Sequence, residues 1–264
     1  MAGALREFWW FGIKQAYACM FGGWLLFWFL LTKWYYPFES LARYDFLFLM
    51  AVGFQVLLLC MRWESRNEFL VILVFHLVAT GMELFKTSDS IGSWVYPENS
   101  YFRIGNVPLF TGFMYSAVGS YIARVWRIFQ MRFEPAPPAW ELLILGGAIY
   151  ANFILHHFLW DIRYLLLFAN IWLFRRTWVY FRCDRIVYRM PILLSQFLAS
   201  FFVWLAENAG TIAGVWLYPH QHQQWRWVGP EKWVSWFLLM LLSFALIVAM
   251  KEISGAEKKI DSQQ

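Results

Sequence analysis

Eight stretches of the chain, 13–32, 45–61, 68–86, 108–126, 139–158, 162–180, 189–206 and 232–250, each run for about twenty residues with few charges. A segment inside a bilayer has no water to satisfy its backbone N–H and C=O groups, so it crosses as a helix or as part of a closed barrel. About 20 predominantly apolar residues suffice for a helical crossing. The pattern predicts an all-α fold: a polytopic transmembrane helix bundle of about eight spans. The second stretch is short. The sixth is interrupted by Arg175 and Arg176, which follow IRYLLLFANIWLF. Composition agrees, with 61% of the 264 residues hydrophobic and 15% charged, against about half and a quarter in soluble domains. The 18 Trp fit helix ends at the headgroup level. Trp172, Trp204 and Trp236 instead fall within apolar runs and face a partner helix, lipid or an aromatic-lined cavity.

The net charge of +5 comes from basic residues lying between the apolar runs. That is the pattern of cytoplasmic loops, not of a nucleic-acid surface, and nucleic acid is excluded as a partner. With the N-terminus inside, the inner segments carry fifteen Lys and Arg and the outer segments seven. Both termini are therefore expected in the cytoplasm, with an even number of spans. The first apolar run continues through GWLLFWFLL without a small-x-small site and is read as a span, not a cleaved signal. Cys19, Cys60 and Cys183 lack CxxC spacing, which argues against a disulfide framework or a thiolate metal site.

EPAPPAW (134–140) is a proline-rich connector near the chain midpoint. It suggests a first four-helix repeat over 1–133, a linker at 134–138, a second repeat over 139–250 and a polar cytoplasmic tail at 251–264. The halves echo one another. ELFKTSDSIGSWVYP (83–97) and ENAGTIAGVWLYP (207–219) both read Glu, Thr four residues on, then Gly-x-Trp-x-Tyr-Pro. Arg103 and Pro108 correspond to Arg226 and Pro230, and Arg43-Tyr44 to Arg163-Tyr164. Seven residues before each Glu stand His76 and Ser200. The expected duplication is 4+4, with both halves in the same orientation.

Glu83 and Glu207 each close an apolar run, where a carboxyl group can serve as a general acid, proton carrier or cation ligand. They are the candidate catalytic residues. Thr87, Trp94, Tyr96, Arg103, Asn208, Thr211, Trp216, Tyr218 and Arg226 are the candidate substrate-binding residues. Gly92, Gly210 and Gly214 permit turns, while Pro97 and Pro219 force the residue before them into extended backbone. Each Gly-x-Trp-x-Tyr-Pro segment then folds over the outer mouth of the bundle, either as an aromatic lid over its Glu or as part of an interfacial belt. Leu84 stands where the second copy has Asn208, and Lys86 where it has Gly210. Lys86 is spaced to pair with Glu83, leaving Glu207 the better neutral acid.

His156, His157 and Asp161, with His76, make a weak metal candidate, since His157 and Asp161 share a face only if the helix continues. A helix-end hydrogen-bond cluster is the stronger reading, and no metal is expected. His220 and His222 lie in an outer loop. HEXXH, paired ExxH, P-loop, Rossmann, nucleophile-elbow and kinase patterns are absent, and no cofactor is predicted.

GMELFKTSDSIGSWVYPE, VPLFTGFMYSAVGSYIAR from Val107 and ENAGTIAGVWLYP together resemble the bacterial integral membrane family called domain of unknown function 817. That resemblance covers nearly the whole chain. It implies a multi-pass protein of the bacterial cytoplasmic membrane and brings no activity with it. Glu207, Gly210, Thr211 and Gly214 also resemble the Glu-x-x-Gly-Thr-x-x-Gly rhythm of carotenoid hydratase-type membrane proteins. In the first copy Glu83 and Thr87 match, but Lys86 replaces the glycine. The expected function is acid/base chemistry on, or binding of, an apolar isoprenoid-like lipid. The alternatives are a proton- or cation-coupled small-molecule transporter and a non-catalytic scaffold or sensor. The expected partners are the bilayer and an apolar lipid or small molecule; the oligomeric state is not legible.

Overall fold

The computed structural model describes residues 2–64 and 66–261. Among them are nine α-helices: α1 (Ala2–Ala18), α2 (Met20–Trp34), α3 (Arg43–Cys60), α4 (Arg66–Lys86), α5 (Thr111–Ile128), α6 (Ala139–Leu155), α7 (Arg163–Phe174), α8 (Ile192–Ile212) and α9 (Pro230–Asp261). Every predicted apolar stretch contains a helix. Three helical stretches, α3, Glu68–Lys86 of α4 and α8, are long and apolar enough to cross a membrane. The first stretch is broken at Cys19, where α1 and α2 meet at a 68° bend; counted as one span, the pair makes a fourth. Helices α6 and α7 are apolar but shorter.

The chain is mostly helical rather than all-α, and the sixth stretch shows why. Helix α7 has twelve residues, about 18 Å at 1.5 Å per residue, against about 30 Å of hydrocarbon. It stops at Phe174, and the Arg175 guanidinium lies 3.8 Å from the Trp172 ring centroid. The predicted span to residue 180 is thus replaced by a helix and a strand. WVYFR and VYRMP are rich in β-branched and aromatic residues, a strand composition. They form β4 (Trp178–Arg182) and β5 (Val187–Pro191), paired antiparallel with β3 (Arg132–Glu134) in the order β3-β4-β5. Val179 and Phe181 are buried, whereas Trp178 and Arg182 are exposed. A second, two-stranded sheet joins β1 (Arg103–Ile104) to β2 (Val107–Pro108).

The chain divides into two compact units. One comprises the N-terminal stretch to Lys14, Val125–Phe202 and the chain from Pro230 on. Its core joins Leu142 and Ile149 of α6, Leu166 and Phe174 of α7, Ile192, and Leu238, Leu241 and Phe244 of α9. Glu7 fixes the turn after β4 by accepting the backbone N–H groups of Asp184 at 3.0 Å, Arg185 at 3.0 Å and Ile186 at 3.3 Å.

The other unit comprises Gln15–Arg124 and Val203–Gly229. Both Glu motifs lie in it. Its α3–α4 turn carries Glu64, which accepts hydrogen bonds from Arg124 Nη2 at 2.8 Å, Ser120 Oγ at 3.1 Å and Gln55 Nε2. Both side chains of the Arg124–Glu64 ion pair are fully buried. Removing one member of such a pair strands the other charge and costs about 3–5 kcal/mol. Arg124→Met is therefore expected to lower the Tm of the detergent-purified protein sharply. The double variant Arg124→Met/Glu64→Gln should recover much of that loss. A single variant as stable as the parent would contradict the pairing.

Candidate functional site

Glu83 lies in the last turn of α4, and the chain beyond Lys86 folds back over it. The turn passes through Gly92, whose φ of +56° is in the left-handed region that glycine occupies without steric cost. Beyond it Trp94 and Tyr96 are buried and Val95 and Pro97 exposed, the alternation of extended backbone. Both buried rings reach the carboxylate. Trp94 Nε1 and the Tyr96 hydroxyl each donate to Glu83 Oε2 at 2.9 Å. From α5 the Tyr115 hydroxyl donates to Oε1 at 2.7 Å. Glu83 is 0% exposed. A carboxyl group offers about four lone-pair sites, and one indole and two phenols occupy three of them here.

The second copy repeats the turn at Gly214, φ +67°, and the Tyr218 hydroxyl donates to Glu207 Oε1. Glu207 is 5% exposed and Tyr218 6%. The two segments also pair with each other. Val95 and Leu217, the residues between Trp and Tyr in each copy, form an antiparallel bridge with N···O distances of 2.9 and 3.0 Å. The Trp94 ring meets the Tyr218 ring edge-on, centroids 6.1 Å apart. Burial pushes the Tyr96 and Tyr218 hydroxyls well above the usual phenol range, and the adjacent Glu83 and Glu207 charges add to it respectively. The Glu83 charge also acts on Tyr218. The phenols accordingly remain protonated donors throughout the physiological range.

The copies differ where their sequences differ. Gly210 lets Trp216 lie against α8: a Cβ there would sit 2.2 Å from Trp216 Cη2. In the first copy the buried Lys86 occupies that position, and Trp94 bonds the carboxylate instead. Asn208 and Thr211 are buried, and their polar atoms are engaged in hydrogen bonds to backbone groups and to the Trp225 indole. Asn208 donates to the Trp204 carbonyl and accepts from Val228 N–H, both at 2.9 Å. Thr211 donates to the Asn208 carbonyl at 3.0 Å and accepts from Trp225 Nε1 at 3.1 Å. Thr87 donates to the Glu83 carbonyl at 2.8 Å. Pro219 opens a short 3-10 turn, Pro219–Gln221.

Other expected site residues lie elsewhere. Arg103 Nε donates to the Gly105 carbonyl at 2.8 Å, and Arg226 is exposed. Helix α6 ends at Leu155, so the helical spacing that would have aligned His157 with Asp161 is lost. Asp161 instead accepts from Arg163 Nε at 2.5 Å and from Asn152 Nδ2 at 3.1 Å. Arg163 and Tyr164 do not repeat the work of Arg43 and Tyr44. Arg43 Nη2 donates to the Ala213 carbonyl at 2.9 Å and Nη1 to Glu98 Oε1 at 2.5 Å. The Tyr44 hydroxyl donates to the Val215 carbonyl at 2.8 Å. By contrast, Tyr164 is 67% exposed. Tyr115 had no signal of its own, being one aromatic among many on an apolar helix.

Two glycine substitutions rank the constraints. Gly92→Ala meets open space and bears only the left-handed backbone cost of about 1–2 kcal/mol. Gly210→Ala drives a methyl into the Trp216 ring, and overpacking costs about 1–3 kcal/mol. The second variant is expected to shift Trp fluorescence as well as Tm, and the first mainly Tm. An unchanged emission spectrum in Gly210→Ala would contradict the packing described.

Residues 7–244 match a family model described as "Protein of unknown function (DUF817)". The chain is 39% identical over 250 residues, 95% of its length and 94% of the relative's, to the "Uncharacterized protein YoaT" of Bacillus subtilis (strain 168). No solved structure matches. The chain belongs to the DUF817 family.

Proposed function

We propose that the chain is a multi-pass protein of the bacterial cytoplasmic membrane that uses Glu83 and Glu207 for acid/base chemistry on an apolar, isoprenoid-like lipid. The observation that carries this reading is the shared setting of the two carboxyl groups. Each is buried and bound by a phenol from its own Gly-x-Trp-x-Tyr-Pro segment, and the segments are joined at Val95 and Leu217. Pairing of equivalent residues supports a duplication into halves at 1–133 and 139–250, linked by 134–138. The Lys and Arg bias supports about eight spans with both termini and the 251–264 tail in the cytoplasm.

The aromatic rings around the two carboxyl groups suit an apolar substrate. Trp and Tyr present an apolar ring with one polar tip, so they hold a carboxyl group while offering hydrocarbon contact. A carboxyl group here delivers a proton to a double bond, and the aromatic faces stabilise the carbocation. Water then adds to the cation and returns a proton to the carboxylate, which restores the site. A proton- or cation-coupled transporter is the second reading, favoured because two buried carboxyl groups lie behind one bridged pair of segments. In either reading the partners are the bilayer and an apolar lipid or small molecule.

The test is lipid mass spectrometry on bacteria expressing the parent chain, Glu207→Gln or Glu83→Gln. The parent should convert a lipid species that Glu207→Gln leaves unconverted by a factor of at least a hundred, at equal membrane abundance. Identical lipid profiles in parent and variant would sink the reading.

A further inference from the structure

The chain that follows α5 and the chain that follows α7 meet in one sheet, β3-β4-β5. Its register sets Arg132 opposite Tyr180, and Tyr180 opposite Arg189. Opposed residues share a face, as do residues two apart along a strand. Trp178 and Arg182 therefore stand on the same face as that row. Val179 and Phe181 point the other way and are buried. On their side Phe133 meets the Trp126 ring, centroids 4.8 Å apart. One face of the sheet is thus spent on the interior, and the other is basic.

The basic face is not neutralised from within the chain. Arg132, Arg182 and Arg189 are exposed, and among the described residues none of the three forms an ion pair. Glu134 is the one acidic residue in the three strands, and it stands in the next row, opposite Trp178. The Arg189 guanidinium lies 5.0 Å from the Trp178 ring centroid. Arg175 and Arg176, just ahead of β4, are exposed as well. Like charges gathered on one face repel, so the array calls for an anion. Its position says which kind. Helix α7 ends four residues before β4, α6 begins five residues after β3, and α8, long and apolar enough to cross a membrane, follows β5 directly. A residue spans at most about 3.6 Å, so these tethers keep the sheet near the level where apolar helices end. Trp and Tyr favour that headgroup layer.

We propose that the outer face of the β3-β4-β5 sheet binds the headgroups of anionic phospholipids in the cytoplasmic leaflet. Two inter-strand spacings separate Arg132 from Arg189, about 10 Å, so both guanidinium groups reach one phosphate lying over Tyr180. Guanidinium pairs with phosphate through two parallel N–H···O bonds. The Trp178 and Tyr180 rings offer apolar contact to the glycerol and the first methylene groups. Each basic side chain at such a surface raises affinity for anionic lipid about fivefold. The inference rests on the placement in the cytoplasmic membrane proposed above. It is independent of the chemistry at Glu83 and Glu207.

The full-length chain is purified in a nonionic detergent and titrated with phosphatidylglycerol or phosphatidylcholine, and bound lipid is counted by native mass spectrometry. The parent should prefer phosphatidylglycerol by roughly tenfold or more. The triple variant Arg132→Gln/Arg182→Gln/Arg189→Gln should lose that preference while the Tm of the lipid-free protein is kept. Arg62→Gln/Arg226→Gln removes two exposed arginines outside the sheet and should leave the preference within about twofold of the parent. Parental preference in the triple variant, or equal loss in the double variant, overturns the assignment. Displacement of the lipid by millimolar inorganic phosphate would mark a free-anion site and overturn it too, as would retention of RNA in place of phosphatidylglycerol. A chain that alkaline carbonate washes from bacterial membranes overturns the membrane placement and this inference together. A chain that stays in the membrane fraction without a lipid preference overturns this inference alone.

Discussion

A carboxylate taken out of water must be given donors, and the fold of the unit spanning Gln15–Arg124 and Val203–Gly229 is shaped by that demand. Lys or Arg would neutralise the charge but brings its own large desolvation cost. An indole or phenol brings one N–H or O–H on a body that prefers an apolar setting. Glu83 uses Trp94, Tyr96 and Tyr115 in this way. The two motif donors come from residues beyond the helix end, so the chain has to turn back at once. That explains glycine at φ +56° and +67° in the two copies and extended backbone across Trp-x-Tyr.

Helix positions were legible because each long, sparsely charged run of the sequence contains a helix. The Glu, Trp and Tyr of each motif were legible because they recur. What followed from tertiary contact was not. The Arg175-Arg176 break was visible, but the strand beyond it was absorbed into a span, since WVYFR is apolar enough to pass for one. Arg103 and Arg226 recur in step with the motif, yet recurrence does not set side-chain direction, and neither supplies the carboxylate donors described. Tyr115 acts on Glu83 only because α5 packs in register with α4, which no local pattern encodes.

The two copies also show how one motif supports two environments. In the second, Gly210 lets an indole lie flat against the helix, and Asn208 ties down the backbone at Val228. In the first, Leu84 and Lys86 stand at those places, and the indole turns to the carboxylate. Arg43 and Tyr44 of α3 hold the carbonyls of Ala213 and Val215. The backbone of the second Gly-x-Trp-x-Tyr-Pro segment is thus held by side chains of α3.

Glu7 has a practical consequence. The first turns of α1 look expendable in sequence, ahead of the first predicted span. Yet this one carboxylate binds three successive amides at 184–186, more than 170 residues away. Trimming the N-terminus past that residue would leave a tight turn with three unmet donors. Any affinity tag or reporter is therefore better placed at the other end of the polypeptide.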